Sequence, residues 1–144
     1  MTTPVSVVAT WHEALNRGDV ERLVELSRPD VEVGGPLGTG KGAQLLREWT
    51  TRANIRLEPR RAFHKGNTVV VEQEAEWRSA ETGESSGSQQ IASVFMVRDE
   101  LVVSVSRYPD LVGALHAAGL DGSHEVAGGY REGTRGSGGE VRTF

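Results

Sequence analysis

Arg107 is the residue of this 144-residue chain whose chemistry is most sharply constrained. If its side chain points into the fold, the buried guanidinium needs a partner, either a carboxylate or an anionic or carbonyl group of a ligand. No acidic residue falls on the same predicted inward faces, where the polar residues are Gln73, Gln89 and Ser93. Arg61 is a second candidate for an inward face. The alternative, for Arg107 and Arg61 alike, is that the head group reaches solvent at the rim of the sheet.

Five large aromatic side chains fall on apolar stripes or inward faces: Trp11, Trp49, Trp77, Phe63 and Phe95. Each of them can be an ordinary core residue. Together with Gln73, Ser93 and Arg107 they also suit a pocket for a flat or apolar ligand, with the arginine at its mouth. The two interpretations are compatible, and we take these residues as the candidate ligand-binding set.

His12 stands beside Trp11 on the first predicted helix and is a candidate acid–base group, as Arg107 is a candidate for binding a reaction intermediate. A surface position is the favoured interpretation for His12. The four histidines, His12, His64, His116 and His124, have no pair at metal-ligand spacing, so we expect no metal site.

A second motif, Gly35 to Lys41, fits the phosphate-loop pattern G-x-x-x-x-G-K. Gly42 stands where that loop needs Ser or Thr for Mg²⁺, so a loop at the pocket rim is favoured and we expect no cofactor. Glu72, Glu74 and Glu76 face the arginine side of their hairpin and are expected to form a solvated charge ladder.

The composition is that of one globular domain, with 37% hydrophobic residues and no cysteine, which excludes disulfides and thiolate chemistry. A net charge of −4 without clustered Lys and Arg disfavours nucleic acid as a partner. The N-terminus lacks the pattern of a signal peptide, and no segment has the apolar length needed to span a bilayer. We therefore expect a cytoplasmic protein with no membrane partner.

The elements that must position these residues begin with helices. Thr3-Pro4 predicts an N-cap and first helical residue, and Gly18-Asp19 predicts a tight corner between two amphipathic helices. We expect Pro29 to end the second helix, Val31–Val33 to form a short strand, and a Gly-rich loop over 34–42 to lead into a third helix carrying Trp49.

From Ile55 the hydrophobic period becomes that of strands, which predicts two antiparallel hairpins over 55–78 and 89–108. Alternation places Phe63 inward with Leu57, and puts Ala92, Val94, Met96 and Val102 on an outer apolar face suited to a homodimer. A short helix is predicted over 111–118. Residues 1–120 are then one α+β domain, and residues 121–144 a Gly-rich tail expected to be flexible.

The helix–GD–helix opening, the strand–Gly/Pro loop–helix at Val31–Trp49 and the strand end SRYPD at Ser106–Asp110 together resemble the NTF2-like superfamily. That family includes SnoaL-like proteins, ketosteroid isomerases and limonene epoxide hydrolases. The resemblance implies a curved antiparallel sheet wrapped around the N-terminal helices as a cone, with a pocket at the wide end and a dimer through the outer sheet face.

The family's known catalytic residues do not carry over to the matching positions. Where ketosteroid isomerases have a Tyr, a general-base Asp and a protonated Asp, this chain has Trp11, Gly35 and Ser93. Where limonene epoxide hydrolases have Arg, Asp and Asp, it has Gln73, Ala75 and Arg107.

The residues favour a small-molecule binding domain for a mostly apolar ligand that carries a carbonyl or acidic group. Two alternatives stay open. One is a SnoaL-like isomerase, cyclase or hydrolase that uses His12 or Arg107. The other is a dimerisation module whose pocket is filled by its own side chains.

Overall fold

The computed structural model describes residues 3–35, 38–53, 55–78 and 85–126, with the backbone alone at 35, 38, 39, 49–53, 55, 78, 85 and 86. Its elements, in chain order, are α1 (Pro4–Arg17), α2 (Val20–Glu25), β1 (Ser27–Gly35), β2 (Gly38–Lys41), α3 (Ala43–Ala53), β3 (Ile55–Lys65), β4 (Thr68–Arg78), β5 (Ser85–Arg98), β6 (Leu101–Tyr108) and α4 (Leu111–Ala118). A single 3-10 turn, Gly122–His124, follows α4. Within this part of the chain, no helix has the length and apolar character to cross a membrane.

The helical corner forms as the sequence predicts. Thr3 caps α1 by accepting the Ser6 N–H, while Gly18 ends the helix with a φ of 73° in the left-handed region. Asp19 then caps α2 by accepting the Arg22 N–H. These local hydrogen bonds explain why the opening of the chain could be predicted so closely.

The end of α2 differs from the prediction, because the helix stops at Glu25 and Pro29 lies within β1. Val102 donates its N–H to the Leu26 carbonyl at 2.8 Å, so pairing with β6 starts before the proline is reached. Pro29 falls in the irregular stretch of that pairing between Ser27 and Glu32. Its missing N–H therefore interrupts no regular ladder position.

One six-stranded curved sheet has the order β2-β1-β6-β5-β4-β3. All neighbours are antiparallel except β1 and β6, which are parallel. The predicted Gly-rich loop over 34–42 is partly strand, since Gly38–Lys41 pairs with β1; Pro36 and Leu37 lie outside the described residues. The α+β cone with helices held in a curved sheet is confirmed.

We call the side of the sheet that faces α1 the inner face and the opposite side the outer face. The main core lies between the inner face and the helices, and includes Val8, Trp11, Leu46, Val71 and Phe95. This packing buries α1 over a wide arc and holds its side chains against the strands that carry the candidate site.

Because of two irregularities in strand pairing, some residues lie on the opposite face of the sheet from the one predicted. In β3 the register shifts between Pro59 and Arg61, so that Phe63 lies opposite Val70 and is buried on the outer face. Arg61 likewise lies opposite Glu72, which corrects its suggested inward position. A shift between Met96 and Val97 turns Val102 inward, into the main core. One extra residue reverses the alternation of everything beyond it.

The outer face is covered in part by α4. Phe63, Val70, Ala92, Ala114 and Leu120 form a second buried cluster there. Ala92 is thus enclosed within the chain, and with Val102 turned inward, two of the four residues on which the homodimer prediction relied are not exposed. The homodimer itself stays a prediction.

Residues 121–126, predicted as the start of a flexible tail, pack against β3. Val126 donates its N–H to the Ala62 carbonyl at 2.8 Å, and Arg61 binds Glu125 through two contacts of 3.0 Å. The hydrogen bond and charge of Arg61 lower the pKa of the Glu125 carboxyl. Residues 127–144, the rest of the predicted tail, lie outside the described residues.

Candidate functional site

The inner face gathers candidate residues from four elements. Trp11 and His12 come from α1, Gln73 and Trp77 from β4, Ser93 and Phe95 from β5, and Arg107 from β6. Two predicted members are not part of this description. Phe63 lies on the outer face, and the side chain of Trp49, on α3, lies outside the described residues.

His12 is buried, with 1% of its surface exposed, which corrects the expected surface position. The prediction followed the apolar stripe of α1, but strands β3–β6 and helix α2 all contact this helix. An enclosed helix buries a wider arc than its apolar stripe alone, and His12 falls inside that arc.

Trp11, His12 and Phe95 form a compact aromatic cluster. The Trp11 and Phe95 rings meet edge to face with centroids 5.2 Å apart, and His12 lies 5.6 Å from Trp11 and 5.4 Å from Phe95. The indole N–H of Trp11 donates to the Ser27 hydroxyl at 3.3 Å, and that hydroxyl donates to the Leu23 carbonyl at 3.0 Å. Trp11 is therefore a core residue whose only donor is already used.

A chain of hydrogen bonds joins α1 to β4 and β5 through the core. Val8 offers its carbonyl to His12 Nδ1 at 2.9 Å, and His12 Nε2 lies 2.8 Å from Gln73 Nε2. The Ser93 hydroxyl donates to Gln73 Oε1 at 2.8 Å. All three side chains are at least 98% buried, and each of them has a hydrogen-bond partner inside the core.

Arg107 lies directly opposite Ser93 on the inner face, as the alternation of β6 predicts. It is half-buried, and among the residues that the structure describes no carboxylate lies within ion-pair distance of its guanidinium. Trp77 is also half-buried and packs against the edge of the main core. The inner face thus carries a cation that no described acidic side chain neutralises.

The pairing of His12 with Gln73 is the feature that sequence reasoning missed. A single signal was present: Gln73 interrupts the inward apolar series Val69, Val71, Ala75. A buried amide needs a polar partner, but residues 61 positions apart in the chain give no local hint of which one. In the described part of the chain, no group of three His, Asp or Glu side chains is arranged to hold a metal ion.

The comparisons with known proteins agree on the family and the fold. The model of the SnoaL-like domain matches residues 8–105, well over half of the chain. An NTF2-like protein of unknown function from Cytophaga hutchinsonii superposes with a TM-score of 0.66 at 15% identity, over 76% of this chain and 92% of that one. No protein with a curated description matches the chain.

Two further solved structures carry names that concern chemistry. A candidate polyketide cyclase from Sinorhizobium meliloti has a TM-score of 0.62 at 17% identity, over 70% of this chain and 92% of that one. TerC, co-crystallised with polyporic acid, has a TM-score of 0.62 at 22% identity, over 80% and 97%. At such identities the likeness establishes the fold alone.

Proposed function

This chain belongs to the SnoaL-like family of NTF2-like folds, and from that premise we propose that it binds a small, mostly apolar ligand on the inner face. The ligand carries an anionic or carbonyl oxygen that Arg107 holds. Half-buried Arg107, without a carboxylate partner among the described residues, is the observation on which the proposal rests.

The physical argument concerns the hydration of the guanidinium. Moving an arginine head group partly out of water removes hydrogen bonds that a protein normally replaces with a carboxylate or a carbonyl. Ser93, its cross-strand neighbour, already donates its hydroxyl proton to Gln73. A ligand oxygen would accept the guanidinium N–H groups, and its apolar body would lie against aromatic side chains such as Trp77.

The names of the structural neighbours support this ligand class without establishing it. Polyporic acid, which accompanies TerC, is an aromatic hydroxyquinone with carbonyl and acidic oxygen atoms. Its chemistry matches an inner face that combines aromatic rings with a cation, which makes it a suitable probe for this protein.

An enzymatic role is the second candidate, and the burial of His12 favours it. A buried imidazole beside a ligand could move a proton. Both of its ring nitrogens are already engaged, by Val8 and Gln73. Proton transfer at Nε2 would therefore require a ligand to displace the Gln73 amide, so we rank binding ahead of catalysis.

The first experiment is native mass spectrometry of freshly purified protein, followed by calorimetric titration with polyporic acid. We expect a retained or added ligand, and a loss of affinity of about 10-fold or more in Arg107→Ala, the effect of removing a charged hydrogen-bond donor. Arg98→Ala, which alters an exposed arginine on β5, is the matched control. Unchanged affinity in Arg107→Ala would place the arginine outside the site, and the absence of any binding would favour a filled interior.

A further inference from the structure

β3 is an edge strand of the six-stranded sheet, so one side of its backbone is available for pairing with a further segment. Near the start of β3 that side is already taken. The Asn16 side chain accepts the Leu57 N–H at 2.9 Å and donates to the Leu57 carbonyl at 2.8 Å. Pro59 has no N–H to offer, and the register shift between Pro59 and Arg61 interrupts the edge further. The regular part of the edge therefore begins at Arg61.

Residues 121–126 of the same chain, which we call the strap, occupy this part of the edge. Val126 donates its N–H to the Ala62 carbonyl at 2.8 Å, and Glu125 forms an antiparallel bridge with Phe63. The Val126 side chain packs against the main core. The edge of β3 thus accepts an extended segment as a short added strand.

The charges of the strap and of the edge are complementary. Arg61 binds Glu125 through two contacts of 3.0 Å. Hydrogen bonds from Ser123 lower the pKa of Asp121, and the charge of nearby Lys65 acts in the same direction. An acidic segment is therefore held by a basic edge, whereas two copies of β3 brought together would place like charges against each other.

The strap has few buried contacts. Asp121, Gly122, Ser123 and Glu125 are exposed. The side chains of Arg61 and Glu125 are 49% and 40% open to water, where an ion pair contributes little. Such a segment opens locally far more often than the core does. Its advantage over an outside peptide is its short connection to α4, which gives it an effective concentration on the order of 1 mM at the edge.

We propose that the edge of β3 over residues 61–65 is a strand-addition site for an extended segment of a partner protein, and that the strap is its resident, inhibitory occupant. The partner segment carries an acidic residue followed by a β-branched apolar residue, as Glu125 and Val126 do. Its backbone binds the Ala62 carbonyl and its carboxylate binds Arg61. This site lies on the sheet edge and does not depend on the ligand proposed for the inner face.

The test measures, by fluorescence anisotropy, the binding of a labelled peptide with the sequence of residues 120–126 to the full chain. A variant that combines Glu125→Lys with Val126→Pro lacks the ion pair and the donated N–H, so its strap should be released. We expect this released variant to bind the peptide about 10-fold or more tightly than wild type, because a larger fraction of its sites is open. Adding Arg61→Glu should abolish the gain. Adding Arg98→Glu, at an exposed position on β5, is the matched control and should preserve it.

The wild type provides a second measurement that does not depend on the folding of a variant. Amide hydrogen exchange followed by NMR should show that the Val126 N–H is protected, but less strongly than the N–H of Val71 in the core. Unlabelled peptide at millimolar concentration should accelerate the exchange of the Val126 N–H, because it holds the edge while the strap is open.

Three results would overturn the proposal. One is equal peptide binding by wild type and the released variant, or no binding by either. Another is protection of Val126 equal to that of Val71, since the strap would then open only when the whole domain unfolds. The third is a released variant that takes up no peptide and associates with itself in size-exclusion chromatography where the wild type does not, because the edge would then pair with a second copy.

Discussion

The polar side chains on the two faces of β4 and β5 differ in burial and in charge. On the inner face, Gln73 and Ser93 are neutral, fully buried and tied to defined partners. On the outer face, charges such as Glu74 remain about 40% exposed and pair with arginines of β3. Burying a charge costs more free energy than burying a hydrogen-bonded amide, so the directional hydrogen bonds lie inside and the ion pairs lie in water.

This contrast predicts which substitutions the protein tolerates and which it does not. Solvent-exposed ion pairs contribute little to stability and tolerate substitution. In a buried series of hydrogen bonds between neutral groups, a substitution at one side chain leaves its partner without a hydrogen bond. The donor and acceptor roles in such a series are fixed by geometry. The inner face should therefore respond strongly to single substitutions and the outer charge ladder weakly, and the four predictions below test that difference.

The largest effect is expected for Phe95→Ala. The ring is fully buried against Trp11 and His12, so its removal leaves a cavity that the surrounding β-sheet cannot close. We expect a loss of about 3–5 kcal/mol in the free energy of unfolding, measured by urea denaturation. Val112→Ala, at a position 78% exposed, is the control and should change little. Similar losses in the two variants would contradict the position of the core.

Ser93→Ala should come next. It removes the donor to Gln73 Oε1 and leaves that buried oxygen unsatisfied. The expected loss in the free energy of unfolding is about 1–3 kcal/mol. Ser104→Ala, at a half-buried position on the outer face of β6, is the control. An equal loss of stability in that variant would mean that the buried hydrogen bond of Ser93 makes no particular contribution.

Asp110→Ala probes the cover of the outer face. Asp110 caps α4 by accepting the Gly113 N–H at 2.7 Å, and α4 shields the cluster around Ala92. We expect a loss of about 1 kcal/mol in the same measurement. Asp30→Ala, an exposed carboxylate away from any helix start, should have a smaller effect, and a reversal of that order would count against the cap.

The smallest effect concerns the ion pair of Arg61 and Glu125. Because Arg61 lowers the pKa of Glu125 in the folded state, the pair stabilises the protein above the ordinary carboxyl pKa, and this contribution is lost as the pH falls through the lowered value. Both side chains are 40–49% exposed, so we expect at most a few tenths of a kcal/mol.

Thermal melts of wild type and Glu125→Gln, recorded from neutral to acidic pH, provide the measurement. The small stability advantage of the wild type should be present at neutral pH and disappear in acid. An advantage that grows as the pH falls would have the wrong sign for this ion pair.

Local signals predicted most of the fold. Thr3, Gly18 and Asp19 act through hydrogen bonds within a few residues, so the helix ends they form could be predicted from the sequence. The strands and α4 follow from the hydrophobic period in the same way. The sheet face on which a strand residue lies is harder to predict, because a bulge adds one residue without any signal in the hydrophobic period. This is why Phe63 and Val102 were assigned to the wrong faces.

The candidate site was only partly predictable. Arg107, Gln73, Ser93 and Phe95 lie on the inner face because plain alternation holds where they occur. The burial of His12 depends on how many elements enclose α1, and its bond to Gln73 depends on tertiary packing. Neither is encoded in the residues next to His12, so neither could be derived from the sequence.

The parallel pairing of β1 with β6 has a consequence for how the chain reaches its native state. Ser27 lies opposite Val102, so the strand that begins in the first quarter of the chain has no sheet partner from the rest of the fold until the last strand is made. During synthesis, the β1–β2 hairpin must wait while most of the remaining domain emerges. Pairing over such a distance in the chain is slow, and attachment of this hairpin is expected to be a late step that closes the sheet over its helices.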